Sequence, residues 1–269
     1  MTGWLARSGR IAALVVALLI NAGAKADTDR PRIAIIIDDL GYQWDAGLRV
    51  IALPGPVACA ILPQTPRAAE LASLANEAGK DVLLHLPLQA QEAVAKPDPG
   101  SIGLDMSRAD LAQAFAANLS SVPHVVGINS HRGSLLTRHP GHMLWLMEEI
   151  RQHGSLFFVD SVTTHQSVAL QVAREAGVPA TRRDVFLDPQ PGARVVAREF
   201  ARLKEAARRS GFAVGIGHPL PATLELLEKE LPKLEEEGFE LVRITSIVAD
   251  ETRAWLLAQR GADAVAAAD

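Results

Sequence analysis

The sequence predicts an α/β fold in which parallel strands and helices alternate around a closed or nearly closed (β/α) barrel. Short runs of Ile, Val, Leu and Phe show no polar alternation, as expected of parallel strands that are buried on both faces. A longer segment with helical spacing follows each run, which indicates βα units. Seven or eight such units fit a closed or nearly closed barrel better than two Rossmann halves.

The elements can be followed in chain order. The predicted strands are residues 33–37, 57–62, 82–84, 125–128, 156–159, 185–187, 213–216 and 241–244. The predicted helices are residues 44–53, 66–78, 107–121, 141–153, 167–176, 193–210 and 222–237. Ser107 is suited to cap the third helix, and Gly79 and Gly154 directly follow helical segments, where a left-handed residue is expected. Residues 89–103 lack periodicity and contain two prolines, which predicts a long and therefore often functional loop.

The first 26 residues have the three parts of a secretory signal peptide. Arg7 and Arg10 precede an uninterrupted apolar run at residues 11–20, and Ala24 and Ala26 provide a small-residue cleavage site. The apolar run is short for a membrane span, which needs about 20 residues. We expect cleavage after Ala26, with an uncleaved N-terminal anchor as the alternative, and a secreted or periplasmic protein in both cases. Residues 27–248 then form the domain, and residues 249–269 an Ala-rich C-terminal tail.

Composition excludes several classes of protein. The net charge is −4 and no long basic block is present, so nucleic acid is not expected as the main partner. After signal cleavage no stable membrane span remains. Cys59 is the only cysteine, which excludes an intramolecular disulfide, and its apolar neighbours predict a small buried side chain.

Asp and His residues recur where the predicted strands end. One Asp after a strand often only caps the next helix, but here the pattern repeats at six strands. In a βα barrel these ends meet on one face, and His with Asp is the set that a zinc site with an acid and a base requires. The residues, in chain order, are Asp38 with Asp39, His85, Asn129 to His131, Asp160 with Ser161, Asp188 and His218.

An ordered set of motifs resembles a known family. IIIDDLG at 35–41 and GKDVLLH at 79–85 are similar to the paired-aspartate motif and the His-motif strand of NodB-type carbohydrate esterases. The nearer resemblance is to the divergent polysaccharide deacetylase family, and it extends over residues 32–248. It is carried by LHLPL at 84–88, NSHRGS at 129–134, FFVDS at 157–161, RDVFLD at 183–188 and IGHP at 216–219. The resemblance implies a NodB-like (β/α) barrel that is irregular or incompletely closed, with a divalent metal, Zn²⁺ being the expected ion.

The resemblance also implies roles for individual residues. Asp38 takes the position of the catalytic base and Asp39 that of a metal ligand. His85 takes the position of the first His in the family's His-x-x-x-His motif. Position 89 holds Gln where the second His would stand, and His131 from the next strand end is the implied replacement.

On the acid side, His218 matches the late motif whose His donates a proton, and we expect Asp160 to orient His218 or the metal ligands. Three positions depart from the family pattern: Ser130 replaces an expected Asn, Arg132 an expected Met, and Pro189 an expected Asn. Arg132 would bring a cation next to the metal, where it could bind an anionic substrate group or weaken metal binding.

The sequence therefore predicts an exported metal-dependent hydrolase that removes acetyl groups from an acetylated cell-envelope glycan. One alternative is a non-catalytic module that binds a glycan or an envelope protein, and Gln89 is the observation that favours it. Another is a different metal-dependent hydrolase with the same rim. His139 and His142 are competing candidates for the metal, although they lie at a predicted helix start beyond the rim.

Overall fold

The computed structural model describes residues 30–92 and 97–266. The predicted signal peptide and its cleavage site lie outside the described residues. Among the helices that the structure does describe, none combines the length and the apolar character needed to cross a membrane.

Within the described residues, nine parallel strands form one sheet in the order β6-β5-β4-β3-β2-β1-β8-β7, and β9 pairs with β1 beside this path. The strands are β1 (Arg32–Leu40), β2 (Ala58–Ile61), β3 (Val82–Leu88), β4 (Val125–Arg132), β5 (Phe157–Asp160), β6 (Ala180–Arg182), β7 (Val185–Phe186), β8 (Phe212–Gly217) and β9 (Glu240–Leu241). The predicted α/β barrel of parallel strands is confirmed.

A single short segment joins the two ends of this sheet. β6 pairs with β5, whereas β7, which follows it after two residues, pairs with β8 at the other end. Between them, the Arg183 amide donates to the Asp160 carbonyl and the Asp184 amide donates to the Val214 carbonyl. One chain segment that changes partner thus links the two ends of the sheet, but no ladder joins β6 to β7 within the described residues, so the barrel is irregular and incompletely closed.

Helices surround the ring and separate its strands along the chain. They are α1 (Trp44–Ile51), α2 (Ala68–Glu77), α3 (Arg108–Ser120), α4 (Pro140–Gln152), α5 (Ala169–Glu175), α6 (Ala193–Ser210), α7 (Pro221–Glu230) and α8 (Ile244–Ala266). Ser107 caps α3 as predicted, in a reciprocal capping box with Asp110. The predicted helix 222–237 is shorter than expected, because a 3-10 turn containing Pro232 follows α7.

The predicted strand 241–244 is wrong. Of that range only Leu241 is in a strand, since β9 is Glu240–Leu241, and Ile244 already begins α8. The reason is a cap from a distant part of the chain: the buried Asp81 carboxylate accepts hydrogen bonds from the Thr245 amide at 3.3 Å and its hydroxyl at 3.0 Å. α8 also continues without a break through position 248, where the sequence predicts that the domain ends and the tail begins.

Alternation along the strands produces two apolar layers. Ile33, Ile35 and Ile37 belong to the larger core between the sheet and its helices, where the buried Cys59 also lies. Burial raises the pKa of the Cys59 thiol to about 12. Ala34 and Ile36 point to the other side, into the barrel.

This inner layer is completed by α8. Ile244, Ile247 and Val248 from its first turns pack in the same inner cluster as Ala34 and Ile36. Arg32, at the start of β1, forms an ion pair with Asp250 of α8 at 2.6 Å. α8 therefore covers the end of the barrel where the strands begin, and the opposite rim, where the strands end, is left for the polar residues.

Candidate active site

The paired aspartates lie in a bulge of β1. Ile37 is paired with Cys59 and Leu40 with Ile61, so β1 has one residue more than β2 across this interval. Asp39 takes up the difference with a left-handed φ of 58°, a conformation that is costly for a residue with a side chain. A bulge re-aims side chains, and here it brings two consecutive carboxylates to the same rim, as predicted.

Three ligand atoms from three strands form a nearly equilateral triangle. Asp39 Oδ1 lies 3.2 Å from His85 Nε2 and 3.0 Å from His131 Nδ1. The two imidazole nitrogens are 3.1 Å apart. Tetrahedral zinc with ligand bonds of about 2.0–2.2 Å separates its ligands by about 3.3–3.5 Å. The triangle therefore has nearly the dimensions that a divalent ion requires.

The protonation of these groups supports the same interpretation. His85 Nδ1 lies 2.9 Å from Asn129 Oδ1, and the Asn129 amide donates to Asp38 Oδ1 at 2.7 Å. The Asn129 oxygen thus accepts a hydrogen bond from Nδ1–H, so in the neutral His85 the Nε2 lone pair faces the triangle. Asp39 Oδ1 is buried with no conventional hydrogen-bond partner in the described structure. A buried carboxylate oxygen that lies 3.2 Å and 3.0 Å from two imidazole nitrogens fits a bound cation.

At this rim, neighbouring groups outweigh burial in setting the pKa values of His85 and Asp39. Burial disfavours the charged form of His85, but the nearby carboxylates of Asp38 and Asp39 outweigh it and raise the pKa to about 9. Burial would raise the pKa of Asp39, but its contacts with His131 and His85 hold it well below its usual range. Asp39 is thus an anion, and its negative charge suits the binding of a cation.

Asp38 stands next to the triangle without being part of it. Its Oδ2 lies 3.7 Å from His85 Nε2, and its side chain is only 5% exposed. Burial raises the pKa of Asp38, although His85, His218 and Asn129 oppose this. A buried carboxylate that is a stronger base than usual suits the removal of a proton.

His218 faces the site from the other side. Its Nε2 lies 3.7 Å from Asp39 Oδ2, and its Nδ1 lies 2.9 Å from Asp188 Oδ1. The fully buried Asp188 carboxylate also accepts hydrogen bonds from the His218 amide and the Thr223 hydroxyl, each at 2.7 Å. Burial lowers the pKa of His218, but the Asp188 carboxylate more than compensates and raises it. His218 Nδ1 therefore donates to Asp188, and Nε2 is directed to the site.

We expected Asp160 to orient His218 or the metal ligands, and the contacts correct this. Asp160 Oδ1 accepts from the Val162 amide at 2.9 Å, and Oδ2 from the Ser167 hydroxyl at 2.7 Å. Both oxygens thus hold the turn between β5 and α5. Asp188, which could be taken for a turn former before Pro189, is the residue that orients His218.

Two residues of the rim, His131 and Arg132, contact Asp98, and the sequence did not reveal this contact. Asp98 Oδ2 lies 3.3 Å from His131 Nε2 and 3.0 Å from Arg132 Nε. Arg132 Nε is also 3.3 Å from His131 Nε2, and Arg132 has a left-handed φ of 56°. Asp98 belongs to the long loop that we singled out, but it follows no strand, so the strand-end pattern could not find it.

Open space lies on both sides of the triangle. A cavity of about 310 Å³ on the barrel side is lined by Asp38, His218, Arg183 and Phe186 among others. A second of about 480 Å³ borders Asp39 and the exposed Tyr42. The competing candidates His139 and His142 contact each other instead, and His142 also contacts Trp145. Within the described residues, the one group of three or more side chains able to hold a metal is Asp39, His85 and His131.

Comparisons with known proteins agree with this geometry. Residues 35–248 match the sequence model of the divergent polysaccharide deacetylase family. The Escherichia coli K12 protein YibQ is 33% identical over 217 residues, which are 81% of this chain and 67% of YibQ.

Two solved structures share the fold. The protein ATU2773 of Agrobacterium tumefaciens C58 superposes with a TM-score of 0.78 at 20% identity, over 82% of this chain and 91% of that one. The catalytic domain of a peptidoglycan N-acetylglucosamine deacetylase from Eubacterium rectale superposes with a TM-score of 0.52 at 14% identity, over 80% and 89%. At these identities the likeness extends to the fold alone.

Proposed function

Since the chain belongs to the divergent polysaccharide deacetylase family, we propose that it is a metal-dependent hydrolase that removes acetyl groups from a cell-envelope glycan. The observation that carries the proposal is the triangle of Asp39, His85 and His131, with Asp38 and His218 on two sides of it. His131 completes a set of three ligands although position 89 holds Gln. The residues therefore fit a divalent metal, and Zn²⁺ suits two imidazoles and one carboxylate.

The proposed division of labour follows from the environments of the side chains. When bound, a divalent ion lowers the pKa of a water molecule and polarises an acyl carbonyl. Asp38 removes the proton of the attacking water, for which its raised pKa makes it a better base. His218 gives its Nε2 proton to the leaving amine or alcohol. Asp188 accepts from Nδ1 and stabilises the protonated ring.

The substrate class comes from the family and from the expected export. Residues 1–26 predict a secretory signal peptide, which would deliver the domain to the envelope, where acetylated glycans occur. N-terminal sequencing of the protein from its native host should return Asp27, in a fraction outside the cytoplasm. A chain that starts at residue 1 or 2 in the cytoplasm would contradict the export step and leave the chemistry of the site untouched.

The decisive experiment is acetate release from acetylated amino-sugar oligomers by the mature protein, together with its metal content by elemental analysis. We expect about one metal ion per chain, loss of that metal in His131→Ala, and acetate release that a chelator abolishes and Zn²⁺ restores. A wild-type protein with stoichiometric metal that binds such a glycan but releases no acetate would instead support the non-catalytic module.

A further inference from the structure

The loop between β3 and α3 brings a carboxylate to the outer side of a proposed metal ligand. Asp98 Oδ2 lies 3.3 Å from His131 Nε2, the ring nitrogen that points away from the triangle. The same oxygen contacts Arg132 Nε at 3.0 Å. This arrangement has no counterpart in the motifs of the sequence, because Asp98 lies ten residues after the end of β3.

The fold holds Asp98 in this place. Pro97 and Pro99 flank it and restrict the backbone on both sides. The Gly100 carbonyl accepts from the Asn118 side chain of α3 at 2.8 Å, and Asn118 is fully buried. Ile102 bonds back to the Pro87 carbonyl of β3 at 2.9 Å. The segment around Asp98 is therefore tied to two neighbouring elements.

Gly100 shows how closely this segment is fitted. It has a left-handed φ of 72°, and a Cβ added there would overlap the Asn118 amide. Only glycine satisfies both conditions. The loop thus has a specific conformation at Asp98. The contact between the Asp98 carboxylate and His131 follows from that backbone conformation.

The proton on His131 decides what this contact does. If His131 Nδ1 binds a metal, that nitrogen must have a lone pair, and the single proton of the neutral ring must then be on Nε2. A protonated Nε2 cannot accept the hydrogen bond from Arg132 Nε, which lies 3.3 Å away. It can donate to Asp98. Metal-ligating imidazoles commonly donate their second N–H to a carboxylate, which fixes the tautomer and raises the basicity of the ligand nitrogen.

We propose that Asp98 is a positioning residue for the metal centre: it accepts the Nε2 proton of His131 and so selects the tautomer that binds the ion. The inference rests on the proposed function only for the identity of His131 as a ligand. Arg132, which pairs with the same carboxylate oxygen, holds Asp98 in place and offsets its charge. Metal binding and the conformation of the loop around Asp98 are then coupled through one hydrogen bond.

The test is the Zn²⁺ affinity of the mature protein, measured by competition with a chromogenic chelator. Loss of such an outer carboxylate typically weakens metal binding about 10–100-fold, and we expect this for Asp98→Ala, with partial recovery in Asp98→Glu. Asp105→Ala is the matched control, since Asp105 is an exposed carboxylate on the same loop segment and forms no ion pair with any residue that the structure describes. It removes the same charge and should leave the affinity within about twofold, as expected for a solvent-exposed charge.

Protection of the loop provides a second readout. Zn²⁺ should slow amide hydrogen exchange at Gly100 and Ser101 in the wild type, and the effect should disappear in Asp98→Ala. Equal Zn²⁺ affinities of wild type and Asp98→Ala would overturn the positioning role, even if the wild type releases acetate. An affinity difference in a protein that releases no acetate would leave the role intact and reject the proposed reaction. A wild type with no measurable Zn²⁺ binding would overturn both.

Discussion

Adjacent residues at this rim have different environments, and the difference assigns their roles. Asp39 is held ionised by two imidazoles, whereas Asp38 is buried beside an amide and has a raised pKa. The bulge of β1 lets both face the site, although successive residues of a regular strand point to opposite faces. One carboxylate is therefore suited to bind a cation and the other to accept a proton.

A first prediction separates these two roles. Asp38→Asn should retain the metal, because its carboxylate is not one of the three triangle groups, but lose the base, which typically lowers the rate about 10²–10⁴-fold. Asp39→Ala should lose metal and activity together. Elemental analysis and acetate release on the same preparations test both. Wild-type activity in Asp38→Asn would show that another group removes the proton.

A second prediction concerns the acid. Asp188→Asn keeps the size of the side chain but removes the charge that stabilises protonated His218. Acetate release should therefore fall, and as the pH rises the variant should lose activity at a lower pH than the wild type does. The sign follows from linkage: Asp188 raises the pKa of His218, and without it the ring loses its proton earlier as the pH rises. We expect the metal content to remain unchanged.

Asp160→Asn is the control for that experiment. It also neutralises a buried rim carboxylate, but among the described residues this carboxylate accepts hydrogen bonds from the Val162 amide and the Ser167 hydroxyl and not from His218. Loss of such bonds costs about 1–3 kcal/mol of stability, without a shift of the pH profile. If the pH profile of acetate release shifted as much in Asp160→Asn as in Asp188→Asn, Asp160 would be the residue that orients His218.

At the scale of elements, α8 shows how a distant residue decides where a helix begins. Its start carries no local cap, and the apolar run at residues 241–244 has the composition of a strand. Asp81, which directly precedes β3, supplies the missing acceptor and also pairs with Arg243 at 2.8 Å. The helix so positioned packs its first turns into the barrel.

A third prediction follows from this cap. Asp81→Ala should lower the free energy of unfolding by about 1–2 kcal/mol, as for other lost helix caps, in a urea titration. Acetate release at a temperature where the variant is folded should match the wild type, since α8 covers the end of the barrel opposite to the site. A variant of unchanged stability would show that the cap does not fix the start of α8.

At the scale of the whole molecule, the three proposed ligands come from β1, β3 and β4, so a bound ion ties one half of the ring together. Because these ligands come together only in the folded chain, the free energy of unfolding should increase with the metal concentration. A fourth prediction is that Zn²⁺ at about 1,000 times its Kd stabilises the fold by about 4 kcal/mol. For a domain of this size that is roughly 8–16 °C in Tm.

Calorimetry with and without a chelator measures this shift. His131→Ala should show little of it, because two ligands remain, and it should resemble the metal-free wild type. A Tm that does not respond to Zn²⁺ in the wild type would contradict a metal site formed by the folded ring.

Local sequence patterns were enough to predict the class of fold and most of the rim residues. Continuous apolar strands and the periodic helices between them depend on local composition, and strand-end residues converge in any βα barrel, so Asp38, Asp39, His85, His131 and His218 could be found. Their assembly in one site is a property of topology, which the alternation of elements already implies.

Contacts between residues that no periodicity connects could be identified only in the folded structure. Asp98 reaches His131 from a loop, Asp188 rather than Asp160 contacts His218, and Asp81 sets the start of α8. Which of several acidic residues near a strand end contacts a given partner depends on backbone direction after the strand. That direction is set by packing across the ring, and the local sequence contains no record of it.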